Sequence, residues 1–206
     1  MVKWFMNKSQ RFLKRGFDLL LAGLGFVAFG WLIIICWVIS TVDTRQNGFF
    51  FQERVGRQGK IFKIIKIRTM RRVEGLTSDV TVHQDPRITR TGAILRKLKL
   101  DELPQLINII LGQMSFVGPR PDVVGFADLL RGEDRIILTV RPGITGPASL
   151  AFSNEEEMFF GCDDPECYNR EVIFPLKVEI NRNYVKEYRF LKDISYIADT
   201  LTTIFT

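Results

Sequence analysis

From Leu19 to Ser40 the chain reads LLLAGLGFVAFGWLIIICWVIS, 22 residues without one charged side chain. As a helix, at about 1.5 Å per residue, this run reaches about 33 Å, enough for a hydrocarbon core of about 30 Å. It is longer than a signal-peptide apolar region, and no small-residue cleavage site follows it. The run is read as a membrane segment. It divides the sequence into residues 1–42, the membrane helix, and residues 43–206, long enough for one compact domain. A single run of this kind excludes a multi-span transporter.

The flanks bear on orientation. Lys3, Lys8, Arg11, Lys14 and Arg15 precede the run, which argues for a cytoplasmic N-terminus. Basic residues continue after it, at Arg45, Arg54, Arg57, Lys60 and Lys63. That symmetry suits a re-entrant segment, one that enters and leaves by the same face. Long domains also cross membranes regardless of charge, so a simple span stays open. Gly23, Gly25 and Gly30 offer places to bend. Asp18 stands where the apolar run begins. It has three readings: an ion pair with Lys14 one turn away, a cap on a bent helix, or a solvated boundary residue.

The remaining composition is that of a globular protein, with 46% hydrophobic and 25% charged residues and a net charge of +6. Three cysteines, Cys36, Cys162 and Cys167, are too few for a disulfide framework and fit a reducing compartment. With a single histidine, His83, the Cys162/Cys167 pair lacks the partners of a structural zinc site. His83 reads as a surface residue.

The periodicity predicts a strand at Phe49–Phe51, a turn through Gly56 and Gly59, and a second strand at Ile61–Arg68, together a hairpin. Residues 71–86 read as a polar loop. Residues 92–100 mix apolar and basic positions, as in a helix on an anionic membrane surface. Pro104 opens a helix over Gln105–Leu111. Gly112–Pro121 and Arg141–Pro147 read as loops, and residues 123–131 as helix. Further helices are expected over Glu155–Phe160, Pro175–Tyr184 and Leu191–Phe205, the last strongly amphipathic.

Hydrolase, P-loop, dinucleotide-binding and zinc-protease signatures are missing from the sequence. Three other groupings carry chemistry. Asp101 and Glu102 are adjacent carboxylates at a helix junction. They suit a hard cation such as Mg²⁺ or a covalent nucleophile toward phosphorus; equally, they are the ordinary acidic residues of a first helical turn. Arg120 is held between Pro119 and Pro121, and Arg141 precedes Pro142. Stiff backbone around a guanidinium suits phosphate recognition, although both are also common structural turns. Lys66 and Arg68 fall on one face of a strand, which calls for an acidic partner, an anion or solvent. Together these parts point to an enzyme working on a phosphate at a membrane surface.

At these residues the sequence resembles the bacterial sugar transferases that start glycan assembly, the monotopic phosphoglycosyl transferases. The resemblance runs from Lys14-Arg15-x-x-Asp18 through Gln52-x-Arg54-x-Gly56 and Lys66-x-Arg68-Thr69-Met70. It continues through Asp101-Glu102-Leu103-Pro104-Gln105-Leu106-x-Asn108, Met114-Ser115-Phe116-Val117-Gly118-Pro119-Arg120-Pro121 and Arg141-Pro142-Gly143-Ile144-Thr145-Gly146. It implies an α/β, helix-rich, single membrane-associated domain, with a re-entrant N-terminal helix anchored by Lys14, Arg15 and Asp18, and with interfacial amphipathic helices. It implies transfer of a sugar-1-phosphate from a UDP-sugar to undecaprenyl phosphate with release of UMP, at the cytoplasmic face of the bacterial inner membrane. By that similarity Asp101 is the nucleophile, Asp101 and Glu102 hold Mg²⁺, and Lys66, Arg68, Arg96, Arg120 and Arg141 bind the phosphates. Membrane lipids are expected partners, a homodimer is an open expectation, and nucleic acid is not expected.

Three features depart from the family pattern. Gly30-Trp31 stands where members often carry Ser-Pro at the helix kink. Asn181 stands where some members carry Asp. Residues Pro147–Tyr168 differ most and are the candidate region for choosing the sugar. The chain reads as a minimal member, without an added membrane bundle or fused partner. The rivals are a transferase that moves only the sugar and releases a nucleoside diphosphate, and a non-catalytic membrane scaffold.

Overall fold

The computed structural model describes residues 6–73, 85–159 and 162–205. Helix α1 (Lys8–Thr44) runs unbroken for 37 residues, about 55 Å. Asn7 starts it with a reciprocal cap: its side chain accepts from Gln10 N at 2.7 Å, and Asn7 N donates to Gln10 Oε1 at 2.9 Å. The three glycines do not interrupt it. Arg45, in the left-handed region at φ 55°, ends it.

Lys14, Asp18, Ala22, Ile33, Cys36, Ser40 and Thr44 are buried along α1, most of them three or four residues apart, so they form a stripe on one face. Much of the surface outside that stripe is uncovered, with Leu20, Val27, Trp31 and Ile34 all exposed. The rest of the chain packs along the stripe. Ala22 joins Phe62, Ile64, Leu106, Ile109 and Met114. Ile33 and Cys36 join Ile67 and Leu95. At the far end, Ser40 Oγ donates to Arg68 O at 2.5 Å.

Strands β1 (Phe49–Val55) and β2 (Ile61–Ile67) form the expected antiparallel hairpin, Phe49 opposite Ile67 and Val55 opposite Ile61. The connection closes by Gly56 N donating to Lys60 O at 2.8 Å, and Gln58 and Gly59 take positive φ. Helix α2 (Arg90–Lys97) is capped by Thr89, which accepts from Gly92 N. A 3₁₀ turn over Leu100–Glu102 leads into α3 (Gln105–Ile110), with Pro104 at its start.

Two segments expected as loops contain strands. β3 (Ser115–Val117) and β4 (Gly143–Thr145) pair in parallel. Their approach is so close that a Cβ on Gly118 would lie 2.5 Å from Arg141 O, and one on Gly143 2.2 Å from Gly118 N; only glycine permits it. The helix expected over 123–131 is replaced by a single 3₁₀ turn, Ala127–Leu129. Gly125, at φ 98°, breaks any helix there, and its N–H donates to Asp128 Oδ1 at 2.7 Å. An eight-residue 3₁₀ segment, Gly132–Thr139, follows and was not expected.

Short helices α4 (Pro147–Ala151), α5 (Glu155–Met158) and α6 (Pro165–Tyr168) lead through a π turn into α7 (Phe174–Lys186). Helix α8 (Phe190–Phe205) closes the chain. A second core, with Val117, Ile137, Val178, Tyr184, Val185 and Tyr188, lies between α7 and the 3₁₀ segment. The apolar row of α8 faces outward at Leu191, Ile194 and Leu201, while Asp193 is buried. His83 lies outside the described residues.

Candidate active site

The tight turn before Asp101 exists because Lys99 adopts φ 54° and ends the α2 segment, so that the carboxylates start a new 3₁₀ turn. Both become buried, Asp101 at 7% and Glu102 at 9% exposure. Behind them α3 is fixed to the hairpin by Asn108, which is fully buried. Its Oδ1 accepts from Ile65 N at 3.0 Å, and its Nδ2 donates to Lys63 O at 2.8 Å. A side-chain amide thus does what a third strand would do at the edge of β2, and it sets the hairpin's register against the carboxylates.

That register brings Lys66 to Glu102, Nζ to Oε1 at 3.2 Å. Arg120 reaches the same oxygen from the other side at 2.6 Å. The loop carrying Arg120 is held by the β3–β4 pair and by the end of β1. Gly143 N donates to Pro119 O at 2.9 Å, Val55 N to Asp122 O at 2.9 Å, and Arg54 Nη1 to Pro121 O at 3.1 Å. The Gln52-x-Arg54-x-Gly56 motif is therefore a strut for the arginine loop.

The two carboxylates differ electrostatically. For Glu102, burial favours the neutral acid, but the Arg120 and Lys66 charges outweigh it and hold the group well below the usual carboxylate range. Asp101 moves the other way, up to about 6, because burial and the neighbouring Glu102 charge exceed the pull of Lys66, Arg96 and Lys99. Its Oδ1 is buried and has no hydrogen-bond partner. Lys66 itself is lowered, chiefly by burial, which Glu102 only partly offsets.

The structure thus gathers Asp101, Glu102, Lys66 and Arg120, with Arg96 near enough for its charge to act on Asp101. It places two expected phosphate ligands elsewhere. Strand β2 ends at Ile67, and Arg68 Nε donates to Asn47 O at 2.8 Å with its guanidinium over the Phe50 ring. Arg141 Nε donates to Gly112 O at 2.8 Å, and its charge is felt alongside Arg15 and Arg57. The helix residues Lys14, Arg15 and Asp18 all bind the domain. Lys14 pairs with Asp193 at 2.5 Å; Arg15 donates to Ile109 O and Ile110 O; Asp18 accepts from Ser115 Oγ at 3.0 Å and Phe116 N at 3.1 Å. The bond from Lys14 thus goes across the fold to α8 instead of one turn along α1 to Asp18.

Sequence reasoning missed three contributors. Lys99 sits two residues before Asp101 and helps set both carboxylates. Asp122, next to the Arg120 loop, is raised to about 6 by burial, against the pull of Lys177 and Arg54. Lys177 in turn pairs with Glu155 at 2.6 Å, which ties the divergent 147–168 segment to α7. The only signal for the first was the Lys-Leu-Asp-Glu string; the others depend on contacts between distant segments.

The structure is a helix-rich α/β domain with one long apolar helix, compatible with membrane association, and a buried carboxylate pair of which Glu102 lies between Lys66 and Arg120. The bacterial sugar transferase model matches residues 9–206, and the chain belongs to that family. It is accordingly an enzyme, a transferase. It is 30% identical to the exopolysaccharide production protein ExoY of Sinorhizobium fredii, over 93% of this chain and 84% of that protein. It is 32% identical to the UDP-N-acetylgalactosamine-undecaprenyl-phosphate N-acetylgalactosaminephosphotransferase of Aeromonas hydrophila, over 95% of this chain and 44% of that protein. It is 30% identical to the undecaprenyl-phosphate galactose phosphotransferase of Salmonella typhimurium, over 96% and 41%. The chain spans most of the ExoY protein and under half of the other two.

Proposed function

We propose that the chain is a phosphoglycosyl transferase that moves a sugar-1-phosphate from a UDP-sugar to undecaprenyl phosphate and releases UMP. The observation that carries this reading is the divided carboxylate pair. Glu102 is held ionised between Lys66 and Arg120, and Asp101 keeps a buried, unpartnered oxygen with a pKa of about 6. An aspartate that ionises just below neutrality and is not committed to a salt bridge suits a nucleophile.

In this account Asp101 attacks the phosphorus that carries the sugar. The bond from that phosphorus to the UMP oxygen breaks, and the phosphosugar rests on Asp101. The phosphate oxygen of the lipid acceptor then attacks the same phosphorus, frees Asp101 and forms the diphosphate. Arg120, fixed by Glu102, neutralises charge that develops on the phosphoryl oxygens, and Lys66 keeps Glu102 ionised. Asp101 and Glu102 are hard oxygen donors, and the unpartnered Asp101 Oδ1 fits a Mg²⁺ ligand, with substrate phosphates completing the set. Bound there, Mg²⁺ would supply charge neutralisation at the diphosphate. A covalent step lets a water-soluble donor and a lipid acceptor use one site in turn.

The α1 contacts support a re-entrant arrangement at the cytoplasmic face of the bacterial inner membrane. Asp18 and Ser40 bracket the apolar run, and both are bonded to the same domain, at Ser115 and at Arg68. Domain residues also pack between them, at Ala22 and Ile33. Polar loops do not stand in hydrocarbon beside a spanning helix, so this packing favours a helix held within one leaflet. The outward apolar rows of α1 and α8 are the surfaces for lipid. Residues Pro147–Tyr168, tied to α7 by the Glu155–Lys177 pair, are the region to choose the sugar.

The test is intact-protein mass spectrometry with Mg²⁺ and a UDP-sugar but no acceptor. The expected result is a gain of one sugar-phosphate mass that disappears in Asp101→Asn. Turnover of the donor with release of UDP and no mass gain would overturn the reading.

A further inference from the structure

Lys99 holds a left-handed backbone, φ 54° and ψ 20°, two residues before Asp101. Both of its main-chain groups are used: Lys99 N donates to Arg96 O at 3.0 Å, and Glu102 N donates to Lys99 O at 3.2 Å. Its side chain is exposed, and its ammonium has no hydrogen-bond or ion-pair partner among the described residues. Its charge nevertheless acts on both Asp101 and Glu102. Lys66 and Arg120, by contrast, are both bonded to Glu102. Left-handed backbone is costly for a side-chain-bearing residue, and such outliers cluster at ligand sites.

The surroundings say which ligand an uncommitted ammonium would meet there. Helix α2 packs through Leu95 against Ile33 and Cys36 of α1. The Asp101 charge reaches Cys36, which belongs to the uncharged run Leu19–Ser40. The carboxylate pair is thus close to the apolar helix. On α2, Ile94 is 59% and Leu98 45% exposed, four residues apart and so on one face. Leu98 directly precedes Lys99. Exposed apolar side chains, then an ammonium, then the nucleophile is the order that a lipid phosphate would meet: chain, phosphate, reacting centre. An ammonium serves such a phosphate as a point charge.

We propose that Lys99 binds the phosphate of the polyprenyl phosphate acceptor, with the prenyl chain lying along Leu98 and Ile94. The proposal rests on the phosphoglycosyl transfer reading above. Lys99 then holds the acceptor oxygen toward the phosphorus on Asp101, while Arg120 serves the phosphoryl group being transferred.

Binding of undecaprenyl phosphate to the full chain in detergent, with undecaprenol as the uncharged control, tests it without any turnover. The wild type should prefer the phosphate. Lys99→Gln should weaken that preference about tenfold, and Lys99→Arg should restore most of it. Lys99→Gly, which suits the left-handed turn, should lose the preference as Gln does without lowering the unfolding temperature. Lys97→Gln, which removes an exposed charge two residues earlier, should leave it unchanged. Equal binding of both lipids by the wild type would overturn the proposal, as would an equal loss in Lys97→Gln or an undiminished preference in Lys99→Gly. The two half-reactions at pH 8 then separate acceptor from donor. Charging of Asp101 by the UDP-sugar should keep its rate in Lys99→Gln, and discharge by undecaprenyl phosphate should slow about tenfold. Slowed charging with normal discharge would reassign Lys99 to the donor diphosphate. A wild type that binds the phosphate selectively yet never carries a phosphosugar contradicts the covalent reading and leaves the lipid contact standing.

Discussion

Lys14 in α1 donates to Asp193 in α8 at 2.5 Å, across 179 residues of chain, with both side chains buried. Tyr184 and Tyr188 donate to the same carboxylate at 2.8 and 3.2 Å. The pair fastens the start of α1 to α8. Removing one member of a buried ion pair strands the other's charge. Asp193→Asn should therefore cost about 3–5 kcal/mol, while Lys14→Met combined with Asp193→Leu should cost less than the single change. Thermal unfolding in detergent checks both.

Asp101 is the one carboxylate of the pair that burial keeps from ionising easily. Its folded pKa of about 6 lies above the 3.8 of an ordinary aspartate. The stabilising proton is therefore fully present below about 4 and lost as pH rises through 6. At pH 7.5 the ionised, buried Asp101 is a cost, and Asp101→Asn should raise stability by about 1–3 kcal/mol while abolishing transfer. Thermal unfolding alongside an activity assay measures the two opposite effects on one variant. An Asn variant less stable than the wild type would mean that the site is not strained in this way.

The same pKa predicts a pH limb. A nucleophilic Asp101 must be ionised, so kcat/KM for the donor should fall about tenfold per pH unit below the apparent pKa. Protons and Mg²⁺ compete for the same oxygen, so raising Mg²⁺ should move the limb to lower pH. Rates between pH 4.5 and 8 at two Mg²⁺ concentrations measure this. A limb that ignores Mg²⁺ would separate the metal from Asp101.

Arg120 contacts Glu102 Oε1 at 2.6 Å and Oε2 at 3.5 Å, so both carboxylate oxygens face one guanidinium. Lysine keeps the charge but not the fork. Arg120→Lys should lower kcat by about 10²–10³ with little change in unfolding temperature, because the side chain is 45% exposed.

Topology has its own test. In a variant lacking the three native cysteines, Ser9→Cys and Gln46→Cys mark the two ends of α1. Both should react with a membrane-impermeant thiol reagent from the cytoplasmic side only. Labelling from opposite sides would establish a span.

The elements legible in the sequence were those with a period or a punctuating residue. The hairpin alternates about Gly56 and Gly59, α3 follows Pro104, and α8 has its apolar row. The carboxylate pair was legible as two adjacent acids at a helix junction, but its burial beside Lys66 and Arg120 was not, because those partners come from distant segments. The β3–β4 pair was not, since three-residue strands joined across 25 intervening residues leave no period and are held by glycine backbone contacts. Arg68 shows a similar limit. Alternation put it beside Lys66, but the strand stops one residue earlier, and the side chain turns to the Asn47 carbonyl. Asn108 stood in a recognisable motif, yet its work as a clamp on β2 depends on partners more than 40 residues away.

The central claim is phosphosugar transfer through Asp101, and the nucleotide product tests it most directly. The purified chain, Mg²⁺, undecaprenyl phosphate and a panel of UDP-sugars should yield UMP with at least one donor. The yield should depend on Mg²⁺ and vanish in Asp101→Asn. Release of UDP, or undiminished UMP from the Asn variant, would contradict the account.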